Sequence, residues 1–395
     1  MGIGFANPAM GTTGARPDIG PLPRWTTIYL LSQKEIAKKV MLEMGDLAGS
    51  LPIHYRDLDS LLPLSIDDYP YASSHPNRSI SKNPLTNQYE QVAQCESTLL
   101  ADCLLPYRPD TAHQPSLAYL PYVVTGDYFY LEELHFWVSY NFLSMNPHYR
   151  QTSQGWFEKD QQDRAQAWSP RTLAQAAFIT PDLHPQKLYL NEKLSNNITR
   201  YQQKYLISPP NKYGALIPNY SYPTHSPWMD DFFTWSIGHL VELDFSQALS
   251  LLEYKAKFPV QRMGFGIEGG SGYCWIFSPA YHILVAPSAN DVMFSTIAEV
   301  YNNTNGQDIP YGGGFFDYNL PCGSVEQAEA IGLQKGEKIG YSSSPVGYPS
   351  NLQIALAVAK DSGISGSADA WKRFINRSVK LDYSYYPIYE IVPRN

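Results

Sequence analysis

Side chains that could carry chemistry gather in two kinds of place in this sequence: the starts of predicted helices, and the loop after the first predicted helix. The loop contains His54, Tyr55 and Arg56 in succession. The helix starts contribute His113, Arg164, Trp168, Trp228, Asp230, Tyr273 and Asn351. Helix capping explains short polar residues at such positions, but it does not require His, Arg or Trp. We therefore expect these residues to line one concave face and form a site.

Hydrolysis of a glycosidic bond is one reaction that these residue types could perform. It needs two carboxyl groups across the scissile bond, one of them kept protonated by its surroundings. Asp230 is the expected acid, and the adjacent Asp231 points about 100° away on a helix and cannot flank the same bond. The second carboxylate would be Asp57, Asp163 or Glu268.

Elimination from a uronic acid is the other reaction. It needs a base, here Tyr55 or His113, and a side chain that neutralises the sugar carboxylate, here Arg56, Arg164 or Asn351. The sequence leaves both reactions open.

The remaining residues of the set are assigned to substrate binding. Trp168 and Trp228 would stack on sugar faces, because Trp presents a flat apolar body with a polar tip. His54 and Tyr273 would complete the lining. Aromatic residues make up 14% of the chain, and most aromatic residues serve as core.

A repeated helix–turn–helix pattern would position these residues. The turns Thr125-Gly126-Asp127, Thr180-Pro181-Asp182 and Asp361-Ser362-Gly363 each separate an apolar helix from an amphipathic one. Gly or Pro ends the first helix, and an Asp at such a turn can cap the second. Helix pairs are predicted over 113–124 and 128–146, 160–179 and 184–206, 227–243 and 246–263, 274–285 and 291–303, and 350–362 and 367–377, after a first helix at 24–48.

Helical hairpins of this kind stack into an array or a ring. We expect an N-terminal extension over 1–20, one domain over 21–380 with a long loop excursion and short strands at 50–112, and a C-terminal strand and tail over 381–395. The predicted helices number eleven, one short of six pairs. Either the missing helix lies upstream in a longer polypeptide, or a further domain or subunit completes the ring.

The chain resembles the six-hairpin, (α/α)6 toroid class of carbohydrate-active enzymes, the glycosidases and polysaccharide lyases. The repeated turns and the polar and aromatic helix starts carry the resemblance, over about residues 20–380. It implies an all-α toroid, complete or lacking its N-terminal helix, with minor β-structure in loops. It also implies a glycan substrate and a cleft where the inner helices begin. No family-specific catalytic motif is present, so the resemblance assigns no catalytic residue.

Composition and motif content argue against several other classes of protein. The net charge is −8 without a basic stripe, which argues against nucleic-acid binding. The four cysteines form no CxxC pair and have no His at zinc-ligand spacing, so neither a metal nor a cofactor is expected. One or two disulfides could form among them. Gly264–Gly269 fits GxGxxG but lacks a strand–turn–helix context.

These observations predict a carbohydrate-active enzyme, a glycoside hydrolase or polysaccharide lyase. The alternative is a non-catalytic toroid that binds glycan or serves in the assembly of a secreted or surface structure, since fold does not fix function. The sequence does not determine the location; an extracellular or cell-surface one is expected, although residues 1–14 do not resemble a signal peptide. No apolar run is long enough to span a membrane.

Overall fold

The computed structural model describes residues 16–74, 82–92, 109–159, 162–266, 270–309 and 314–394. The structure is 48% helical with little strand, which confirms that the fold is mainly α. The ring and the domain boundaries stay predictions. The chain divides into two compact units, Met1–Arg200 and Tyr201–Asn395, which are described in turn.

The first unit contains six α-helices in its described part. They are α1 (Arg24–Ser32), α2 (Glu35–Asp46), α3 (Tyr119–Thr125), α4 (Tyr128–Leu143), α5 (Asp163–Ile179) and α6 (Lys187–Gln202), which begins in this unit. Two short strands, β1 (Ala72–Ser73) and β2 (Glu90–Gln91), pair in parallel. These strands agree with the short strands expected in the long loop excursion.

The turn between α3 and α4 forms as its sequence predicts. Gly126 adopts a left-handed conformation with a φ of 69° and donates its backbone N–H to the carbonyl oxygen of Tyr122. Asp127 then caps α4, since its carboxylate accepts the backbone N–H of Phe129 at 3.0 Å. Glycine is favoured here because a side chain makes positive φ costly. The first helical hairpin is therefore confirmed.

The second unit also contains six α-helices in its described part. They are α7 (Pro227–Glu242), α8 (Leu249–Arg262), α9 (Ile297–Thr304), α10 (Val325–Ala330), α11 (Tyr348–Asp361) and α12 (Ser367–Ile375). Strands β3 (Thr224–His225) and β4 (Ile283–Leu284) pair antiparallel, with Thr224 opposite Leu284.

Helix α11 is the centre of the second unit, because it packs on α7, α8 and α12 and is buried from Pro349 to Ala359. Gly238 lets α7 approach it closely: a Cβ added there would lie 2.6 Å from Cγ1 of Val358. Such a contact is far shorter than van der Waals distance, so any larger residue would push the helices apart.

Three predicted elements differ from the structure. The helix predicted over 24–48 is interrupted at Gln33, whose φ is 53°. The first helix of the fourth pair is wrong: a 3-10 turn (Trp275–Phe277) and strand β4 stand in its place. The predicted C-terminal strand is a 3-10 turn (Pro387–Tyr389) followed by irregular chain. The second, third and fifth pairs are confirmed as α5 with α6, α7 with α8, and α11 with α12.

Within the described ranges, no helix has the length and apolar character needed to cross a membrane.

Candidate functional site

The predicted loop residues His54 and Arg56 lie at the surface of the first unit, where each is paired with a carboxylate of α4. Nε2 of His54 lies 2.9 Å from Oε1 of Glu133. Arg56 donates to both carboxylate oxygens of Glu132, at 2.7 and 2.6 Å, and this bond raises its pKa. Tyr55 packs against the apolar cluster below. These contacts hold the loop on α4.

The predicted residues His113, which precedes α3, and Arg164 and Trp168, which belong to α5, are inside the first unit. His113 is buried, and its Nδ1 is hydrogen-bonded to the carboxylate of Asp110. Burial lowers the pKa of His113, and the nearby charge of Arg164 lowers it further, whereas the bond to Asp110 raises it. Trp168 is fully buried beneath the guanidinium of Arg171, 4.9 Å from its ring centroid. Neither face of Trp168 is therefore free to stack on a sugar.

The predicted aromatic and amide residues of the second unit are buried as well. Trp228 stacks on Tyr281 with ring centroids 6.2 Å apart, and Tyr273 belongs to an apolar cluster with Phe277. Asn351 is 1% exposed.

Asp230 forms the centre of a buried ionic network. Its Oδ1 lies 2.5 Å from Nζ of Lys255, and its Oδ2 lies 2.9 Å from Nε2 of His225 and accepts the backbone N–H of Leu216 at 2.8 Å. Burial by itself would raise the pKa of Asp230, but the charge of Lys255 and the bond to His225 hold it below its ordinary value. Asp230 is thus held ionised, the opposite of what a general acid requires.

The neighbouring Asp231 behaves differently. It pairs with Arg262, and both side chains are fully buried. Burial raises its pKa to about 6 despite the opposing charge of Arg262, and its Oδ2 has no partner in the described ranges. Divergent pKa values on adjacent carboxyl groups are typical of catalytic sites, but here no substrate could reach either group without opening the core.

The predicted site residues therefore lie in separate surroundings within each unit. In the first unit, the His54–Arg56 loop is at the surface of α4, whereas His113, Arg164 and Trp168 are interior. In the second unit, all predicted members are interior. Their catalytic and binding roles stay predictions. Of the three candidates for the second carboxylate, Asp163 is buried in α5, Asp57 accepts from the hydroxyl groups of Tyr69 and Ser60, and Glu268 lies outside the described residues.

An open groove of about 550 Å³ in the second unit was not anticipated from the sequence. Its lining includes the aromatic residues Phe265 and Trp275 and the polar residues Asn376 and Ser378. Trp275 is half-buried. A volume of this size falls in the usual range for ligand sites, about 300–1,000 Å³.

The groove is strongly basic for so acidic a protein. Four of its lining residues are Lys335, Lys372, Arg373 and Arg377, against one carboxylate, Asp369. Lys372 and Arg373 lie in the last turn of α12, where a positive charge interacts favourably with the helix dipole. That effect does not account for Lys335 or Arg377.

A disulfide joins the two segments that form one wall of the groove. Cys274 and Cys322 are bonded, and each is followed directly by a lining residue, Trp275 and Gly323 respectively. A Cβ added to Gly323 would lie 2.7 Å from Nε1 of Trp275, and the φ of Gly323 is 79°. The glycine therefore permits close approach of the two segments. Cys95 and Cys103 lie outside the described residues.

Sequence reasoning missed the groove because its parts come from α12 and from loops without periodicity. The one available signal was the excess of basic residues near the C-terminus of α12. In the described ranges no group of three or more His, Cys, Asp or Glu side chains is arranged to hold a metal ion. Comparison of the chain with models of known families, with curated proteins and with solved structures found no match.

Proposed function

We propose that the protein binds carbohydrate in the groove of its second unit and does not cleave it. The observation that carries this proposal is the pairing of a half-buried indole, Trp275, with the amide-bearing Asn376 and the hydroxyl-bearing Ser378 around an open groove. Nζ of Lys338 lies 4.5 Å from the centroid of this ring, so the indole has at most one face for a sugar. A flat apolar ring covers the C–H face of a sugar, while amide and hydroxyl groups bond its hydroxyls.

Binding without cleavage is favoured over hydrolysis by the carboxyl groups available. Hydrolysis of a glycoside needs two carboxyl groups facing each other, and the described lining of the groove contains one, Asp369. Elimination commonly uses a Tyr or His base, and neither type is among the lining residues of the described part. The predicted acid Asp230 is fully buried and ion-paired elsewhere in the unit.

The ring of αα-hairpins expected from the sequence belongs to the same proposal. It rests on the repeated hairpins, of which α3 with α4, α5 with α6, α7 with α8, and α11 with α12 are formed.

A polysaccharide panel tests the proposal with three readouts on one set of samples: new reducing ends, ultraviolet absorbance of an unsaturated product, and binding by affinity electrophoresis. We expect retardation by at least one polysaccharide and no product in either chemical assay. Turnover at a rate proportional to enzyme concentration would overturn the non-catalytic assignment, and the absorbance would then separate elimination from hydrolysis.

Substitutions at Trp275 locate the binding. Trp275→Ala removes apolar surface from the contact, worth about 1–2 kcal/mol at roughly 25 cal/mol per Å², so Kd should rise about five- to thirtyfold. Trp275→Phe keeps a ring and should retain most of the affinity. Tyr318→Ala is the matched control, because Tyr318 is an exposed aromatic residue outside the groove lining. An equal effect of Trp275→Ala and Tyr318→Ala would place the sugar elsewhere.

A further inference from the structure

Within the part of the chain that the structure describes, the basic side chains of the groove form no ion pair with a carboxylate. No carboxylate oxygen of the described residues lies within 4.0 Å of the charged nitrogens of Lys335, Lys372, Arg373 or Arg377. This lining carries a net charge of about +3 in a chain whose net charge is −8. Among the described residues, positive charge is thus concentrated at the groove, where Asp369 is the one opposing carboxylate of the lining.

Arg377 is the most informative of the four residues. It is 6% exposed, and its guanidinium lies over the ring of Phe374. Nη1 donates to the carbonyl oxygen of Phe374, but Nε is buried without a hydrogen-bond partner in the described ranges. A buried guanidinium normally finds a full set of acceptors, because an unmade bond to a charged group is costly.

A second buried basic side chain lies beneath the groove wall. Lys338 is 1% exposed, and its Nζ donates to the carbonyl oxygen of Trp275 at 2.6 Å and to Oγ of Ser278 at 2.9 Å. Burial lowers its pKa well below the ordinary value, and the charges of Arg377, Arg373 and Arg262 lower it further. An anion in the groove would offset this repulsion.

From the excess of positive charge at Lys335, Lys372, Arg373 and Arg377 we infer that the ligand of the groove is an acidic carbohydrate, with a carboxylate or sulfate group held by these side chains while a sugar ring lies on Trp275. The inference rests on the proposed use of the groove and names the class of sugar. Arginine and lysine bind such oxyanions by charge-assisted hydrogen bonds.

Calorimetric titration of the full chain tests this with short acidic and neutral probes, of which trigalacturonic acid and cellotriose are matched in length. The probes are trigalacturonic acid, a sulfated disaccharide, neutral cellotriose, inorganic sulfate as a competitor, and a single-stranded hexanucleotide. We expect the acidic sugars to bind at least tenfold more tightly than cellotriose, to weaken severalfold between 50 and 300 mM NaCl, and to be displaced by sulfate.

Charge variants distinguish a loss of ligand binding from a loss of folding. The double variant Lys335→Gln/Lys372→Gln changes two exposed residues and should weaken trigalacturonic acid by about three- to thirtyfold. Asp369→Asn removes the opposing carboxylate and should tighten it by about two- to fivefold; a damaged fold would not tighten binding. Lys257→Gln is the matched control, an exposed lysine of the same unit outside the groove lining.

The outcomes separate this inference from the proposed function. Equal affinity for cellotriose and trigalacturonic acid, unchanged in the double variant, would overturn the acidic class and leave carbohydrate binding standing. Binding of sulfate alone, lost in the double variant, would support the anion site and overturn carbohydrate binding. Hexanucleotide binding more than tenfold tighter than that of the acidic sugars would overturn both assignments.

Discussion

Replacing Asp230 with Asn should destabilise the protein, because the Asp230–Lys255 pair is part of the core. Both side chains are fully buried, and the charged atoms are 2.5 Å apart. At an effective dielectric constant near 20 the attraction at that distance is about 7 kcal/mol before desolvation of the two ions is subtracted. Asn at this position removes the negative charge that compensates the Lys255 ammonium, and it leaves one acceptor oxygen where the Asp230 carboxylate used two, for Lys255, His225 and the backbone N–H of Leu216. We expect a loss of about 3–5 kcal/mol in the free energy of unfolding.

Urea unfolding followed by circular dichroism measures this loss. Asp308→Asn is the matched control, since it makes the same change at an exposed position of the same unit and should cost less than about 0.5 kcal/mol. Adding Lys255→Met to Asp230→Asn removes the uncompensated charge, so the double variant should be more stable than the sum of the single effects.

The reasoning fails if Asp230→Asn costs no more than Asp308→Asn. It fails more decisively if Asp230→Asn keeps the stability of the unsubstituted protein and abolishes a measurable cleavage of glycan. Asp230 would then be the catalytic acid expected from the sequence, and the non-catalytic assignment would be wrong.

Three further predictions concern the second unit. Burial raises the pKa of Asp231 from 3.8 to about 6, so the folded state binds this proton more tightly than the unfolded state. The free energy of unfolding should therefore fall by up to about 3 kcal/mol as pH rises from about 4 to about 6. Asp231→Asn should remove that pH dependence in urea titrations. Replacing Cys274 and Cys322, which are 48 residues apart, with Ser should cost about 2–4 kcal/mol in the same assay. Gly323→Ala should weaken glycan binding in calorimetry by displacing Trp275, and unchanged affinity would contradict the described groove wall.

The sequence predicts most helices correctly because the residues that start and end a helix are its immediate neighbours in the chain. The turn at Gly126 and Asp127 works through one left-handed glycine and one capping carboxylate, both readable from neighbouring residues. The first helix of the fourth pair, predicted over 274–285, is wrong because contacts with distant residues determine the structure there. Phe277 stacks on Phe315 with ring centroids 4.4 Å apart, and Ile283 pairs with His225 in a strand. Such tertiary contacts override helical periodicity.

The candidate site was less predictable than the helices. Residue type identified Asp230 and Trp228 as suitable for catalysis and stacking, but type alone does not reveal burial. Both prove to be fully buried. The groove, in contrast, needs Gly323 beside Trp275, which a disulfide between residues 48 positions apart helps to bring about. No periodicity or local motif in the sequence predicts that Gly323 and Trp275 lie close together.

Backbone hydrogen exchange with and without trigalacturonic acid tests the central claim most directly, because it locates the ligand without relying on any substitution. We expect slowed exchange over residues 333–338 and 370–378, which contain the basic side chains of the groove. Protection confined to the surface loop at His54–Arg56, or to the segment from His113 to Trp168, would place the sugar in the first unit and contradict the account.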